Sequence, residues 1–335
     1  MGPKIVGCVL FCSLLLVAVG CGGGAVRASS STIAATPTPT PTPATTPSPT
    51  PSPAPSPSPT PATIPAADHV FLIVLENHAF SQVIGSPFMP YLNSLAAQHS
   101  LATNYFADTH PSIGNYFMLT TGTIETNNDA FTGTVSSDNI PRAFATAGKT
   151  WKAYMESLPS VGYTGGDVYP YFKHHNPFAY MTDVLGSSAE TANLVPFTQI
   201  SSDLGAGTLP NFAFIAPNAE DDAHDCPTGG SACLDSAKLT AADNWLKTNI
   251  DPLIHSLALA NSVFIIVFDE SLDVDLLNGG GQVAWVMAGS HVKSAFKSTT
   301  LYQHQSTLRL VMDLLGVTDR PGNSATAATM QEFFQ

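Results

Sequence analysis

Basic side chains are scarce in this sequence. The 335 residues contain 12 lysines and arginines against 25 aspartates and glutamates, and every acidic residue follows residue 66. Over residues 67–335 acidic side chains outnumber basic ones by 15, which argues against nucleic acid as a partner, because its backbone needs a clustered basic face. Charged residues make up only 11% of the chain and hydrophobic ones 44%, so a globally disordered protein is excluded.

The N-terminal apolar run is too short for a stable membrane crossing. Residues 5–19 follow Lys4 and number 15, fewer than the roughly 20 that a spanning helix needs. This pattern predicts an export signal over residues 1–21. The signal ends in Ala-Val-Gly-Cys, which resembles a bacterial lipobox, so Cys21 is predicted to carry the lipid that anchors the protein to the bacterial cell envelope. The alternative is an ordinary secretory signal with an incidental cysteine, which gives a secreted protein.

Residues 22–66 lack the composition of a packed domain. Pro, Thr, Ser and Ala dominate them, and 13 prolines fall between Pro37 and Pro65. Frequent proline favours extended polyproline II and removes backbone donors, so this segment is predicted to be a disordered linker. Residues 67–335 show no internal repeat and are long enough to bury one core, which predicts a single domain.

Cysteine is rare in that domain. Only Cys226 and Cys233 of the five cysteines lie in it, with six residues between them. A pair of cysteines in an exported protein predicts a disulfide bond, with metal binding by the pair as the alternative.

Short apolar, β-branched segments alternate with helical ones along the domain. The alternation predicts a three-layer α/β/α fold with a mostly parallel central sheet. Strands are predicted at 69–75, 150–155, 212–217, 263–268 and 283–289, and helices at 89–98, 237–258 and 306–316. The helix over 237–258 is predicted to bury one face, formed by Leu246, Ile250, Leu253, Ile254 and Leu257.

Two strands of this sheet run directly into oxygen-bearing residues. Glu76 and Asn77 follow the first strand, and Asp269 and Glu270 follow the fourth. Active residues of parallel α/β folds gather at the carboxyl ends of the strands, and hard divalent cations prefer oxygen ligands. The four side chains therefore predict a cation site, with simple polar capping of the strands as the alternative.

Ser112 precedes an apolar stretch that is predicted to be a helix ending at Gly122. A serine in that position lies at the positive end of the helix dipole, where backbone N–H groups favour a bound phosphate. Ser112 is thus a candidate nucleophile, which a metal would activate, or else a plain helix cap. Histidines that are either catalytic or structural lie at His174-His175, His224 and His304.

Six segments occur in an order that resembles one known family. They read ENHAF, HPSIGNY, HHNPF, DDAHD, FDE and YQHQSTLRLVMDLLG, and the resemblance covers essentially all of residues 67–335. This order resembles the bacterial phosphoesterase family of acid phosphatases and phospholipases C. The resemblance implies an alkaline-phosphatase-like fold and hydrolysis of phosphoric ester bonds.

The resemblance also implies roles for individual residues. By this reasoning Glu76, Asn77, Asp269 and Glu270 hold a divalent metal ion, of unspecified identity, that also contacts the nucleophile Ser112. Relatives often carry Asp-Asp or Asp-Glu-Asp-Asp where this chain has Asp269-Glu270 followed by Ser271-Leu272, and this departure bears on the ligand at 270. His175, His224 and, less directly, His304 are expected to bind phosphate or protonate the leaving group. A further candidate group consists of His110, Asn115, Asp222 and Asp225.

Most of these motifs supply no lysine or arginine to offset the negative charge of a phosphoryl transition state. None of the ten lysines and arginines of residues 67–335 lies in the ENHAF, HPSIGNY, DDAHD or FDE segments. A cation, a helix N-terminus and protonated histidine are the expected suppliers.

The expected function is an exported, metal-assisted acid phosphatase. Its substrate is a phosphate ester, either a small molecule or a lipid head group, and membrane contact is expected only through the N-terminal lipid. Phospholipases of this family typically carry added C-terminal modules, and about twenty residues follow the last predicted helix, so we expect a monoesterase. The alternatives are a phospholipase C-type diesterase, a phosphoinositide phosphatase and a catalytically silent surface binding protein.

The lipid anchor can be tested by changing Cys21→Ser. We expect the variant to move from the membrane pellet to the soluble fraction, because the several acyl chains of a mature lipoprotein make release slow and the variant has none. Fractionation followed by immunoblotting measures this, with Cys12→Ser as the control that keeps the lipobox cysteine. A Cys21→Ser protein that stays in the pellet like the parent would show that lipidation is not the anchor.

Overall fold

The computed structural model describes residues 63–229 and 232–335, together with the single residues 34, 36 and 38. The predicted export signal, the lipidation site at Cys21 and nearly all of the linker 22–66 lie outside the described residues. Ile64 and Ala67 pack against the hydrophobic core, so packing begins at the start of the described segment. Within the described part of the chain, no helix is long and apolar enough to cross a bilayer.

The described residues form one large sheet and one small one. The strands are β1 (His69–Leu75), β2 (Ser100–Ala102), β3 (Tyr105–Phe106), β4 (Trp151–Met155), β5 (Leu194–Pro196), β6 (Phe212–Ala216), β7 (Ser262–Phe268), β8 (Trp285–Gly289), β9 (Phe296–Ser298) and β10 (Tyr302–Gln303). The large sheet has the order β5-β4-β6-β1-β7-β8-β2-β9, and within it β8 runs antiparallel to both its neighbours. Strands β3 and β10 pair in parallel beside it. The predicted α/β fold with a mostly parallel sheet is confirmed.

Strand β1 lies at the centre of the sheet and sets the level of the candidate site. Its residues Val70–Leu75 are completely buried, since both faces of a central parallel strand are covered and an unbroken apolar run suits that position. Its register with β7 pairs His69 with Ser262 at one end and Leu75 with Phe268 at the other. The residues that follow, Glu76 and Asp269, therefore leave the sheet side by side.

Helices connect the strands and flank the sheet. They are α1 (Phe80–Val83), α2 (Pro90–Gln98), α3 (Ser112–Thr121), α4 (Ile140–Ala147), α5 (Thr182–Leu185), α6 (Ser188–Thr191), α7 (Gln199–Ala206), α8 (Asp235–Asn249), α9 (Asp251–Ile254) and α10 (His304–Leu314). Short 3₁₀ turns occur at Lys173–His175, Pro177–Tyr180, Leu257–Leu259, Gly322–Ala325 and Gln331–Phe333.

The prediction of one continuous helix over 237–258 is wrong. The segment divides into α8, α9 and a 3₁₀ turn, because Pro252 has no N–H to donate to the carbonyl four residues earlier and its ring would clash with that carbonyl in a continuous helix. Leu246, Ile250 and Leu253 are buried as predicted, whereas Leu257 is 94% exposed beyond the break.

A disulfide bond closes the loop that follows β6. It joins Cys226 to Cys233, whose Cα atoms are 5.8 Å apart. Cys226 is buried and directly follows residues 218–225, which carry Asp222 and His224. The bond therefore ties down the end of a segment that contributes to the site.

A glycine-rich turn supports the backbone that leads to Ser112. Gly280 donates its N–H to the carbonyl of Ala107, and Ala107 donates its own to the carbonyl of Gly281, at 3.1 and 2.9 Å. Gly279 has a φ of +110°, and a Cβ added there would lie 2.0 Å from the carbonyl oxygen of Asp108. Only glycine allows this close approach.

Replacement of Gly279 by alanine tests that support. We expect Gly279→Ala to lower the free energy of unfolding by roughly 3 kcal/mol or more, since it adds a backbone clash to the strain of a positive φ. The matched control is Gly207→Ala, at φ +65° with nothing within 4 Å of its added Cβ. That change should cost about 1–2 kcal/mol. Thermal and denaturant unfolding measure both, and equal losses would contradict the packing role of Gly279.

Candidate active site

Ser112 is the first residue of α3 and lies against the ends of two central strands. Its side chain is almost completely buried. Its Oγ donates to Glu76 Oε2 at 3.0 Å and lies 3.4 Å from both Asn77 Oδ1 and Glu270 Oε1. The structure thus brings the predicted nucleophile and the residues after β1 and β7 into one cluster.

The residues after β1 and β7 also hold each other. Asn77, at a φ of +52°, donates its backbone N–H to Asp269 Oδ1 at 3.1 Å. Its side-chain amide donates to Glu270 Oε1 at 3.4 Å. Glu76 Oε1 accepts from the hydroxyl of Tyr116, which lies one helical turn after Ser112 on the same face of α3. All five side chains predicted as metal contacts therefore lie together.

A second part of the site comes from the loops after β4 and β6. His175 places its Nε2 3.4 Å from Glu76 Oε1 and its Nδ1 3.3 Å from Asp222 Oδ2. The imidazole stacks on the ring of Tyr116, with 5.2 Å between centroids. Asp222 is in turn fixed by Glu76, whose backbone N–H donates to the Asp222 carbonyl at 2.8 Å. His175 and Asp222 thus extend the cluster on the side of Glu76.

Four carboxyl groups are buried in this cluster without a lysine or arginine partner. Glu76, Asp222, Asp269 and Glu270 are at most 1% exposed, and within residues 63–229 and 232–335 no lysine or arginine forms an ion pair with them. Burial is the main cause that raises the pKa of each carboxyl. Repulsion by Asp269 adds to the effect, and the pKa of Glu270 reaches about 10. The ionised forms of these four carboxyls are therefore strongly disfavoured unless a positive charge offsets them.

The predicted histidines have different surroundings. His224 is partly exposed and lies with Nδ1 2.9 Å from Asp225 Oδ1. Burial lowers the pKa of His175 well below its ordinary value, so this imidazole is neutral. His304 is completely buried, with Nε2 2.6 Å from the carbonyl of Asp269 and Nδ1 3.1 Å from the Tyr105 hydroxyl. Both of its nitrogens are engaged within the protein, an arrangement that fixes the backbone of Asp269.

Two members of the further candidate group hold neighbouring loops. The amide of Asn115 accepts from the backbone N–H groups of Asp108 and Thr109 and donates to the carbonyl of Thr109. His110 lies with Nδ1 3.0 Å from Glu270 Oε2 and Nε2 3.0 Å from the carbonyl of Asp275. The side chain of Asn115 thus forms its hydrogen bonds with the backbone, whereas His110 contacts a carboxylate of the site.

Sequence reasoning missed three residues that shape the site. Tyr116 could have been found, because it lies four residues after Ser112 on a predicted helix. Asp129 accepts the backbone N–H of Ile113 at 3.1 Å, so a carboxylate of a distant loop occupies the helix N-terminus beside Ser112. Asp273 groups with His110 and Glu270. Neither aspartate lies in a strand or helix whose pattern would have marked it.

The donor set fits a hard divalent cation. Buried atoms of His175, Asp222 and Asp269 have no hydrogen-bond partner in the described part of the chain. One ligand atom from each of Glu76, His175 and Asp222 lies within 4.8 Å of the other two, and the same holds for His110, Glu270 and Asp273. Carboxylate and imidazole groups held together without a basic partner are costly unless a cation neutralises them. These residues would therefore hold a divalent metal ion.

Comparisons with known proteins agree with this architecture. A solved structure of a protein in the alkaline phosphatase superfamily from Vibrio parahaemolyticus matches with a TM-score of 0.58 at 13% identity, over 80% of this chain and 72% of that one. The likeness confirms the predicted alkaline-phosphatase-like fold. Within this fold class, the sequence profile of the Phosphoesterase family matches residues 86–318. The chain belongs to the Phosphoesterase family.

The named relatives in the comparison are phosphatases. A phosphatidylinositol-3-phosphatase of Mycobacterium tuberculosis is 29% identical over 76% of this chain and 79% of its own length. A phosphate-repressible acid phosphatase of Penicillium chrysogenum is 31% identical over 64% of this chain. The chain spans about half the length of the fungal acid phosphatases that it matches. The prediction of a phosphoric ester hydrolase is confirmed at the level of the family.

The buried carboxyls predict how stability of the metal-free protein changes with pH. Each binds its proton more tightly in the folded than in the unfolded chain, so the free energy of unfolding falls as pH rises from about 4 toward the folded pKa. Buried histidines act in the opposite direction, but only below about pH 6.5, where the unfolded histidine titrates. We therefore expect the Tm of chelator-treated protein to fall by roughly 5 °C between pH 7 and 9.

Thermal unfolding with chelator or with Mg²⁺ at both pH values provides the measurement. A bound cation favours the ionised carboxylates, so Mg²⁺ should raise the Tm and do so more at pH 9. Glu270→Gln is the control, since it removes one carboxyl with a raised pKa and should reduce the fall. Chelated protein that is as stable at pH 9 as at pH 7 would contradict the account.

Proposed function

We propose that this protein is an exported, divalent-metal-assisted phosphatase that hydrolyses phosphoric monoesters through Ser112. The observation that carries the proposal is the position of Ser112 Oγ, at the N-terminus of the ten-residue α3 and within 3.4 Å of Glu76, Asn77 and Glu270. A hydroxyl in that position meets three requirements of a phosphoryl acceptor. It is oriented, it lies near backbone N–H groups, and it adjoins a cation-binding donor set.

Glu76, Tyr116 and Ile113 have separate roles around the transferred phosphoryl group. Glu76 accepts the hydrogen bond of Ser112 and so orients its hydroxyl, while Tyr116 holds the other oxygen of Glu76. The backbone N–H of Ile113 can donate to a phosphoryl oxygen once Asp129 yields it. A bound divalent cation would lower the pKa of a hydroxyl group and offset the negative charge of the reaction centre.

Protonation of the leaving group fits His224 better than His175. A general acid must carry a proton and reach the departing oxygen. His224 is partly exposed, and Asp225 lies 2.9 Å from its Nδ1 and can orient the ring. His175 is fully buried with a lowered pKa and lies between Glu76 and Asp222, so it fits a metal ligand better than a general acid. For His304, whose two nitrogens are engaged, we propose positioning of Asp269.

A phosphoinositide substrate is the second candidate. One relative, which matches 76% of this chain over 79% of its own length, is named a phosphatidylinositol-3-phosphatase. A phospholipase C-type diesterase uses a phosphodiester instead. Assays with p-nitrophenyl phosphate, phosphatidylinositol 3-phosphate and p-nitrophenylphosphorylcholine separate these three activities. We expect hydrolysis of p-nitrophenyl phosphate and not of the choline diester, and hydrolysis of phosphatidylinositol 3-phosphate in preference to p-nitrophenyl phosphate would favour the second candidate. Hydrolysis of the choline diester alone would overturn the monoesterase proposal, and no hydrolysis at all would favour a silent binding protein.

Export and acylation of Cys21 remain part of the proposal. The supporting observations are the apolar run at 5–19, the lipobox-like Ala-Val-Gly-Cys and the proline-rich linker that would hold the domain away from its anchor.

Two substitutions separate the nucleophile from a metal ligand. Ser112→Ala should abolish turnover and leave metal content intact, because the carboxylates stay in place. Asp269→Asn should lose metal as well as activity, because a neutral amide is a weaker ligand for a hard cation. Steady-state assays and metal analysis of the purified proteins measure both effects. Ser188→Ala, at the exposed first residue of α6, is the matched control and should behave like the parent.

Covalent catalysis sets a limit on residual activity. Loss of an enzymic nucleophile usually costs several orders of magnitude. If Ser112→Ala keeps more than about a hundredth of the parental rate, then Ser112 is a helix cap and a water molecule attacks the phosphorus directly.

A further inference from the structure

An open cleft adjoins the candidate active site on the side of α3. Its volume is about 340 Å³, and its lining includes Asp129, Phe131, Thr132, Asp167, Lys173 and Tyr180. These residues come from the loop after α3 and from the long excursion between β4 and β5. No role described so far uses Phe131, Thr132, Asp167 or Lys173.

The cleft shares a wall with the N-terminus of α3. Ile113, the residue after Ser112, packs in a buried cluster with Phe117, Val135 and Tyr180, against which Phe131 also packs. Asp129 lines the cleft and accepts the N–H of Ile113 at 3.1 Å. On the other side Lys173 begins the 3₁₀ turn that ends at His175. The cleft therefore begins one residue away from Ser112, beside the backbone N–H of Ile113.

The lining combines aromatic faces with donors and acceptors. The rings of Phe131 and Tyr180 stack with 5.7 Å between centroids, and Lys173 Nζ lies 4.4 Å from the Tyr180 centroid. In the described segments Lys173 forms no ion pair, so its ammonium remains available to a ligand. Asp129 and Asp167 supply acceptors, and Thr132 supplies a hydroxyl.

The charged and hydrogen-bonding groups of the cleft favour some leaving alcohols of a phosphate ester over others. Two carboxylates against one ammonium give the cleft a negative balance, which disfavours a leaving group with a second phosphate or a carboxylate. An acyl chain would cover Lys173, Asp167 and Thr132, which would lose water without gaining hydrogen-bond partners, so an acyl chain is disfavoured. Hydroxyl groups both donate and accept, so they can satisfy lysine and aspartate together, while a ring's C–H face packs on Phe131, the partly exposed aromatic residue of the lining.

We propose that this cleft binds the alcohol half of the phosphate ester, that the alcohol is a polyhydroxylated ring such as a sugar, and that Lys173 determines this specificity by donating to a ring hydroxyl. The inference rests on the proposed phosphatase function and adds the class of its substrate. Lys173 is a specificity-determining residue in this account, and its contribution is to substrate binding.

The experiment compares two esters that differ only in ring hydroxyls and the ring oxygen. Glucose 6-phosphate and cyclohexylmethyl phosphate are both primary alkyl phosphates on a six-membered ring. For the purified parent in the presence of divalent cation, kcat/KM should favour glucose 6-phosphate. Lys173→Met should lower the ratio of the two kcat/KM values by about tenfold, mainly through KM, since a hydrogen bond from a charged donor is lost. Lys173→Arg keeps a charged donor and should restore most of the ratio.

A control variant and separate outcomes distinguish failure of this inference from failure of the proposed phosphatase function. Lys149→Met alters a partly buried lysine that lines a different cavity just before β4, and it should leave the ratio unchanged. A parent without preference for glucose 6-phosphate, or a Lys173→Met variant that loses both esters equally, would overturn the inference while p-nitrophenyl phosphate hydrolysis still supports the phosphatase. Loss of all monoester hydrolysis in the parent would overturn the proposed function and the inference with it.

Discussion

The concentration of buried carboxylates at the carboxyl edge of the central sheet is the constraint on which the rest of the structure depends. Glu76 and Asp269 leave adjacent strands in register, and Glu270 and Asp222 join them in a space that excludes water. Burial raises the pKa of each carboxyl, and no lysine or arginine of the described residues pairs with them to offset the effect. Such a cluster is tolerable only if protons or a cation neutralise it. Its carboxylate oxygens are of the kind that a divalent cation prefers as ligands.

Neighbouring elements keep this cluster in place around Ser112. Tyr116 holds one oxygen of Glu76 from the next turn of α3, and His304 holds the carbonyl of Asp269 from the start of α10. The turn at Gly279 supports the backbone that leads into α3. Each of these contacts joins segments far apart in the sequence. Rigid elements therefore position the hydroxyl of Ser112, while the loops that carry Asp129 and Lys173 form the adjoining cleft.

Local patterns allowed the α/β fold class, the central strands and the residues at their carboxyl ends to be predicted, whereas the contact of those residues with Ser112 was implied by the family resemblance. Continuous apolar runs mark β1 and β7, and the rule that active residues follow such strands led to Glu76, Asn77, Asp269 and Glu270. The continuous helix over 237–258 was wrong because Pro252 outweighed the apolar periodicity. Asp129, Asp273 and the engagement of His304 were not predictable, since long-range packing of loops decides them. Short edge strands such as β5 and β9 were missed because three residues carry no clear period.

The central claim is that the buried carboxylates and Ser112 share a divalent cation. Anomalous diffraction from crystals of the protein grown with Mn²⁺ tests it most directly, because the signal locates the ion independently of any assay. The account predicts a peak between Ser112 Oγ and the side chains of Glu76, Asn77, Asp269 and Glu270. A cluster that stays empty at saturating Mn²⁺, or a peak confined to His110, Glu270 and Asp273, would contradict it.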